Sequence, residues 1–459
     1  MDVERRSIEF IPECERYGSP TRLFSIWFSA NMQVTALIVG AFGVLAGLNI
    51  FWGIVAVLFG TAIGTVFMAA HSAQGPHLGI PQMIQSRAQF GVLGAGLPLV
   101  TIVIAYILFA AANSVVIRSS IQAAIPLSDN NAIILFGTLT FLIAFVGYEL
   151  IHRMAIWMSV ASLVLFLFVS YFVLVRHYPA GAWSPYVGFG FKAFVLGVMQ
   201  SASWSLGYAP TVADYSRYLP TRVKTSHTFW YSYVGQFCGA GFVMALGAAL
   251  AAFVPQLLAD PGLQIAGLFP VVGRWAALLV IVLGVLQMNV LNIYSAYMSG
   301  TTIFTGFRGM IEISKGHKFL IMACATLIAT AIAIATQYSF ADYFSDILVG
   351  QLYFIVPWTA INLCDFYCIR FGKYSVAEIY NEAGEYGRYN HITIAILVGT
   401  IVVEIPFMNL SFYVGPVAKF FGTDMTVLVS LVVPGGLYYW ANRHLIISHK
   451  ASTQASYGT

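Results

Sequence analysis

The sequence predicts an all-α polytopic membrane protein with about twelve spanning helices. Three observations predict it. Of 459 residues, 59% are hydrophobic and 9% charged, where a soluble domain carries roughly 25% charged residues, and the mean hydropathy is +0.81. Apolar runs of spanning length recur along the chain, separated by polar or Gly/Pro-bearing breaks. Basic residues gather in alternate breaks, as they do when alternate loops face the cytoplasm.

Residues 1–21 mix Asp2, Glu4, Arg5, Arg6, Glu9, Glu13, Glu15 and Arg16 without an apolar core, which reads as a cytoplasmic tail and not as a cleavable signal. The expected spans then follow in order: Leu23–Leu45, Phe51–Ala70, Leu97–Ile117, Ala132–Val146, Met154–Leu174, Phe194–Ala213, Thr228–Phe253, Ala276–Thr301, Phe319–Thr336, Ile347–Cys368, Ile392–Met408 and Met425–Trp440. With the N-terminus inside, seventeen Lys and Arg residues fall on the cytoplasmic side and five (Arg118, Arg176, Lys192, Arg274, Lys419) outside. That asymmetry places both termini in the cytoplasm of a multi-pass inner-membrane protein. It also explains the net charge of +4 without a nucleic-acid partner.

Cys14, Cys238, Cys324, Cys364 and Cys368 are scattered, and none falls in an external loop, so no disulfide framework is expected. Cys364 and Cys368 share a helix face but have no His nearby, and no metal site is expected. The sequence holds no HExxH, no GxSxG and no Walker-type glycine loop, and its nine His lie mostly in loops or tails. An enzyme is therefore not expected. A transporter or a channel remains.

The polar residues within the spans are mainly neutral: Asn31 and Gln33 in the first, Asn113 in the third, Ser201, Ser203 and Ser205 in the sixth, and Gln287, Asn289 and Asn292 in the eighth. Each needs a partner in hydrocarbon, either a neighbouring helix or a ligand. Amides or hydroxyls at comparable depth in four spans point to a shared polar cavity. Aromatic residues accompany them, with Phe28 beside Ser29, Phe109 on the face of Asn113, and Trp204 between two serines. No buried Arg or Lys is expected to receive a carboxylate or phosphate. The cavity suits a small, uncharged, polar ring.

The sixth span interrupts itself at Gly207 and Pro210 and runs on to Asp214 and Arg217. Pro lacks an N–H and Gly tolerates unusual dihedrals, so the helix is expected to break there. Broken helices survive at membrane depth only inside protein or along a cavity, and in secondary transporters they mark the binding site. The first span, with Ser29, Asn31 and Gln33 in mid-run, is the expected counterpart although it lacks a proline. Asp214 and Arg217 read as a cytoplasmic gate pair or helix anchor. Glu149, His152 and Arg153 read as a solvated loop cluster.

The stretches IPECERYGSPTRLFSIWFSANMQ, GPHLGIPQMIQSRAQFG and ADYSRYLP resemble those of nucleobase-cation symporter family 1, in its purine-cytosine permease branch, and the resemblance runs from Ile11 to the twelfth span. It implies a transport core at 22–370 built as a five-plus-five inverted repeat with discontinuous helices one and six, accessory helices eleven and twelve within 371–445, and a cytoplasmic tail at 446–459. It also implies secondary active uptake of a cytosine- or purine-type base. Carried over by motif, substrate contacts fall on Phe28 and Ser29, on Phe109 and Asn113, on Trp204 or Ser205, and on Gln287 and Asn292. Asn289 joins them from its place in the eighth span.

Sodium-coupled relatives carry hydroxyls just before the eighth-helix Asn, where this chain has Val290 and Leu291. Sodium needs hard oxygen ligands, as other hard cations do, so the coupling ion expected here is a proton, with no other cofactor. Alternatives remain: another neutral heterocycle such as hydantoin, allantoin, pyridoxine or thiamine, sodium coupling, or an uncoupled facilitator. The expected partners are the small heterocycle and the lipid bilayer, with the chain a monomer.

Overall fold

The computed structural model describes residues 9–146, 148–254, 256–308 and 314–456. Each of the twelve expected spans falls on helix. They are α1 (Thr21–Ala30) with α2 (Val34–Leu45), α3 (Ile50–Ser72), α4 (Gly96–Ala124), α5 (Asp129–Val146), α6 (Tyr148–Val175), α7 (Phe191–Leu206) with the short α8 (Val212–Ser216), α9 (Thr225–Ala251), α10 (Val271–Arg308), α11 (Lys315–Thr336), α12 (Phe340–Cys364), α13 (His391–Glu404) and α14 (Val432–Ser456). Among the described residues, six helical stretches are long and apolar enough to cross a membrane, or seven when α1 and α2 count as one span. Among the described residues the only strand pair is the two-residue ribbon Asn409–Leu410 with Tyr413–Val414. The side chains of Glu149, His152 and Arg153 lie outside the described residues.

Some helix starts carry side-chain caps. Asn49 accepts from the Trp52 N–H at 3.0 Å and Asn390 from the Thr393 N–H at 3.2 Å, each satisfying an otherwise orphaned donor. Within the bundle, glycines set how closely backbones approach. A Cβ on Gly40 would lie 1.9 Å from the Met244 carbonyl oxygen and one on Gly60 2.2 Å from that of Val198, so α2 against α9 and α3 against α7 pack backbone to backbone.

The first span breaks as expected. α1 and α2 meet at 66° across Asn31, Met32 and Gln33. In the sixth span, α7 stops at Leu206, the residue whose carbonyl would have bonded the N–H that Pro210 lacks. A 3-10 turn at Ala209–Thr211 then leads into α8. Gly207 contributes less than its sequence position implied. Its φ of −57° and ψ of −20° are ordinary right-handed values, open to any residue. Proline, not glycine flexibility, ends this helix.

The GPHLGIPQMIQSRAQFG stretch is no exposed loop. It forms three short helical turns at Gly75–Leu78, Gln82–Gln85 and Arg87–Phe90, nearly all buried. Gly79 at φ 64° and Gly91 at φ 84° end two of these turns in conformations that L side chains avoid.

Candidate substrate site

Two hydrogen-bonded groups of neutral side chains meet at the break between α1 and α2. In the first, the Trp204 Nε1–H donates to Asn31 Oδ1 at 2.7 Å, and the Asn31 amide nitrogen donates to Gln236 Oε1 at 2.8 Å and to the Trp27 carbonyl at 2.7 Å. Gln236 returns a longer bond of 3.4 Å to Asn31 Oδ1 and another of 3.4 Å to the Ser205 hydroxyl. In the second, the Thr35 hydroxyl donates to Asn113 Oδ1 at 2.8 Å. The Asn113 amide then reaches Asn289 Oδ1 at 3.4 Å, and the Asn289 amide reaches Thr140 at 3.3 Å. All of these side chains are buried.

Aromatic rings border the same region. Phe109 stands edge-on to Trp204 with ring centres 6.2 Å apart and edge-on to Phe344 at 6.2 Å. Tyr208 meets Trp204 edge-on from the other side, also at 6.2 Å. These are favourable edge-to-face separations. Gln33, on the same break, is buried as well, and its amide nitrogen donates to the Ala30 carbonyl at 3.1 Å.

The structure brings together Phe109, Asn113, Trp204, Ser205 and Asn289. It sets others apart. Phe28 is half-buried and stacks on Phe24 at 5.8 Å, and Ser29 donates to the Ile26 carbonyl of its own helix at 3.0 Å. Gln287 and Asn292 are half-buried and stand outside both hydrogen-bonded groups, whereas Asn289, almost one turn before Asn292, is buried within one of them. Helical geometry decides this, since a shift of three residues turns an α-helix by about 300°. Pro210 is buried beside the break. Ser203 donates to the Leu348 carbonyl and accepts from Gln351 Nε2 at 2.6 Å, so its group is committed to α12. Sequence reading missed Gln351 and Gln236, because single amides in apolar runs carry no signal of which neighbour they meet.

A second polar cluster lies where the 75–91 segment packs on the end of α12. His71 is fully buried, not in a loop. It stacks on Trp358 at 4.7 Å and shares hydrogen bonds with Thr359 at 3.3 Å and Gln82 at 3.2 Å. Gln82 leads through Gln74 to Asn362 and Gln89. Gln89 donates to Asp365 at 2.7 Å, and Asp365 also accepts from Tyr374 at 2.7 Å and Tyr438 at 2.9 Å and pairs with Arg370 at 3.3 Å. Asp214 accepts from the Gln82 N–H at 2.8 Å, and the Arg217 Nε–H donates to the Asp214 backbone carbonyl at 3.4 Å. Buried arginines do exist, at Arg16, Arg87 and Arg217, contrary to the expectation that no Arg or Lys would be buried. They belong to this end of the bundle and not to the mid-membrane groups.

The five cysteines are free. Among the described residues no group of three or more His, Cys, Asp or Glu is placed to hold a metal. Glu404, in α13, is buried with neither carboxylate oxygen hydrogen-bonded.

An apolar helical bundle with two interrupted helices and a neutral, aromatic-walled polar site at the interruption is the architecture of a membrane transporter. Residues 10–429 match the family described as permease for cytosine/purines, uracil, thiamine and allantoin, and the chain belongs to that family. It is 42% identical to the putative purine-cytosine permease YxlA of Bacillus subtilis over 96% of each chain. It is 24% identical to the purine-cytosine permease FCY2 of Saccharomyces cerevisiae, over 92% of this chain and 82% of that one. The fold is similar to that of Mhp1, a nucleobase-cation-symport-1 family transporter solved in a closed conformation with bromovinylhydantoin bound. That likeness has a TM-score of 0.74 and 16% identity over 96% of each chain. The inward-facing conformation of Mhp1 gives a TM-score of 0.75 at 17% identity.

Proposed function

We propose that this permease imports a small uncharged nitrogen heterocycle of the cytosine or purine type by proton symport and alternating access. The observation that carries the reading is the Asn113–Asn289 pair beside Trp204 and Phe109. Its 3.3–3.4 Å hydrogen bonds are long for neutral donors and acceptors, so a ring with matching edge groups can replace them at little cost. Trp204 and Phe109 supply the flat faces, and Asn113 and Asn289 read the edge. The similarity to YxlA and FCY2, both described as purine-cytosine permeases, supports the same substrate class.

Proton coupling is supported by a small cavity at the first break. Its walls are Met32, Gln33 and Val34 from the break, Ser162, Leu165 and Phe166 from α6, and Val280, Ile281, Gly284 and Val285 from α10. The α10 wall offers no side-chain oxygen, and only Ser162 and Gln33 do so elsewhere, which is a poor set for a hard cation. The basic-residue asymmetry supports an inner-membrane location with both termini cytoplasmic.

A thermal-shift screen of the purified chain against nucleobases and vitamins tests the substrate class, because a binder of the native state raises apparent stability. Uptake of the hit tests the ion: a protonophore abolishes it and removal of Na+ leaves it unchanged. Uptake that requires Na+ and ignores the protonophore contradicts the proton.

A further inference from the structure

We propose that Gln236, in α9, is a positioning residue for substrate binding: it orients the Asn31 carboxamide and, through it, the indole of Trp204. The inference rests on the reading of Trp204 as one wall of the substrate site.

Asn31 has no hydrogen-bonding capacity left for a ligand. Its two amide hydrogens go to the Trp27 carbonyl and Gln236 Oε1, and its oxygen accepts from Trp204 Nε1 and Gln236 Nε2. An amide satisfied on both sides orients its neighbours and does not read a substrate. The Trp27 carbonyl can only accept and the Trp204 indole N–H can only donate, so these two set which way round the amide sits. Gln236 fills the remaining amide hydrogen at 2.8 Å and the remaining lone pair at 3.4 Å, and so fixes the tilt of the carboxamide plane. Without Gln236 that hydrogen and lone pair lose their partners, and the carboxamide is free to tilt about the line from the Trp27 carbonyl to the indole. Trp204 then bonds an acceptor that is held less firmly, and its indole is positioned less sharply.

The sequence places Gln236 there on purpose-built packing. A Cβ on Gly235 would lie 2.5 Å from the Phe24 carbonyl oxygen and one on Gly239 2.7 Å from that of Phe28. Those two glycines, one on each side of Gln236, let α9 approach α1 closely enough for a side chain to reach the break. The same side chain also bonds Ser205, the residue next to Trp204, at 3.4 Å. One glutamine thus touches both broken spans. A purely structural amide would stabilise the helix pair without changing how Trp204 meets a ligand.

The test measures binding of cytosine and hypoxanthine to the purified full chain, with ligand-free melting recorded for every variant. Gln236→Leu is expected to weaken binding about tenfold, the loss of one oriented buried contact, while Gln236→Glu, which keeps the acceptor for Asn31, stays within about threefold of the parent. Combined with Trp204→Leu, Gln236→Leu should weaken binding no further. Should Gln236→Leu fail to fold, Gln236→Asn, too short to reach Asn31, takes its place against Gln236→Glu. Parent-like binding by Gln236→Leu, or a loss that adds in full to that of Trp204→Leu, overturns the proposal. If Trp204→Leu alone binds like the parent, the stacking reading falls and the role of Gln236 with it. If Trp204→Leu is impaired while Gln236→Leu is not, only the role of Gln236 falls.

Discussion

The mid-membrane site and the cluster under the 75–91 segment are both buried and polar, but they are bonded in opposite ways. Asp365 is held at 2.7, 2.7 and 2.9 Å by Gln89, Tyr374 and Tyr438, with Arg370 at 3.3 Å. Asn113 and Asn289 hold each other and Thr140 at 3.3–3.4 Å with no ionised partner. Charge-assisted bonds to Asp365 anchor the chain. Long bonds between neutral groups leave room for a ligand to exchange partners. On the function proposed above, recognition belongs to the Asn113–Asn289 pair and rigidity to the Asp365 cluster.

The largest expected effect falls on the anchored cluster. Asp365→Ala strips Arg370 and three donors of their shared acceptor, and breaking a buried charged pair costs about 3–5 kcal/mol. A large drop in ligand-free melting temperature is the expected outcome, and an unchanged melt would dissolve the contrast. Asn289→Ala comes next. It should weaken nucleobase binding by about 1–3 kcal/mol, the usual cost of an unpaired buried polar group, while Asn292→Ala changes it by less than about 0.5 kcal/mol. Isothermal titration on folded variants ranks the two, and the reverse order would return the edge-reading role to Asn292.

Trp204→Leu should weaken binding by about 0.5–1.5 kcal/mol beyond the lost area, and Ser205→Ala by less. The smallest effect is expected from Gly207→Ala. A Cβ there would meet Gln351 Oε1, which a flexible side chain can move, and the Ser203 backbone carbonyl, which needs a shift of a few tenths of an ångström, each at 3.3 Å, so uptake should persist with stability altered by less than about 1 kcal/mol. Uptake lost with binding intact would show that the joint depends on glycine after all.

Helix positions and the break of the sixth span were legible in the sequence because hydropathy and Pro210 act locally, whereas the break of the first span, which has no proline, rested on its mid-run polar residues and on the family resemblance. The partners of the buried polar groups were not. Asn289 and Asn292 are equivalent as letters in an apolar run, and only the rotation of α10 against α4 separates them. Gln236 and Gln351 looked like ordinary single amides, and His71 sat at a span's edge, where sequence cannot distinguish solvent from a folded-back segment. Phe28 and Phe109 each lay beside a polar residue, yet α1 turns Phe28 toward Phe24 while α4 turns Phe109 toward Trp204. Tertiary rotation about each helix axis is the information a single sequence withholds.

A structure of the chain with a nucleobase bound tests the central claim most directly. The account predicts the ring at van der Waals distance, about 3.5–4.0 Å, from the faces of Trp204 and Phe109, with its edge hydrogen-bonded to Asn113 and Asn289 and the Asp365 cluster unchanged. A base held instead against His71, Gln82 and Asn362, or one contacting Asn292 and not Asn289, would contradict it.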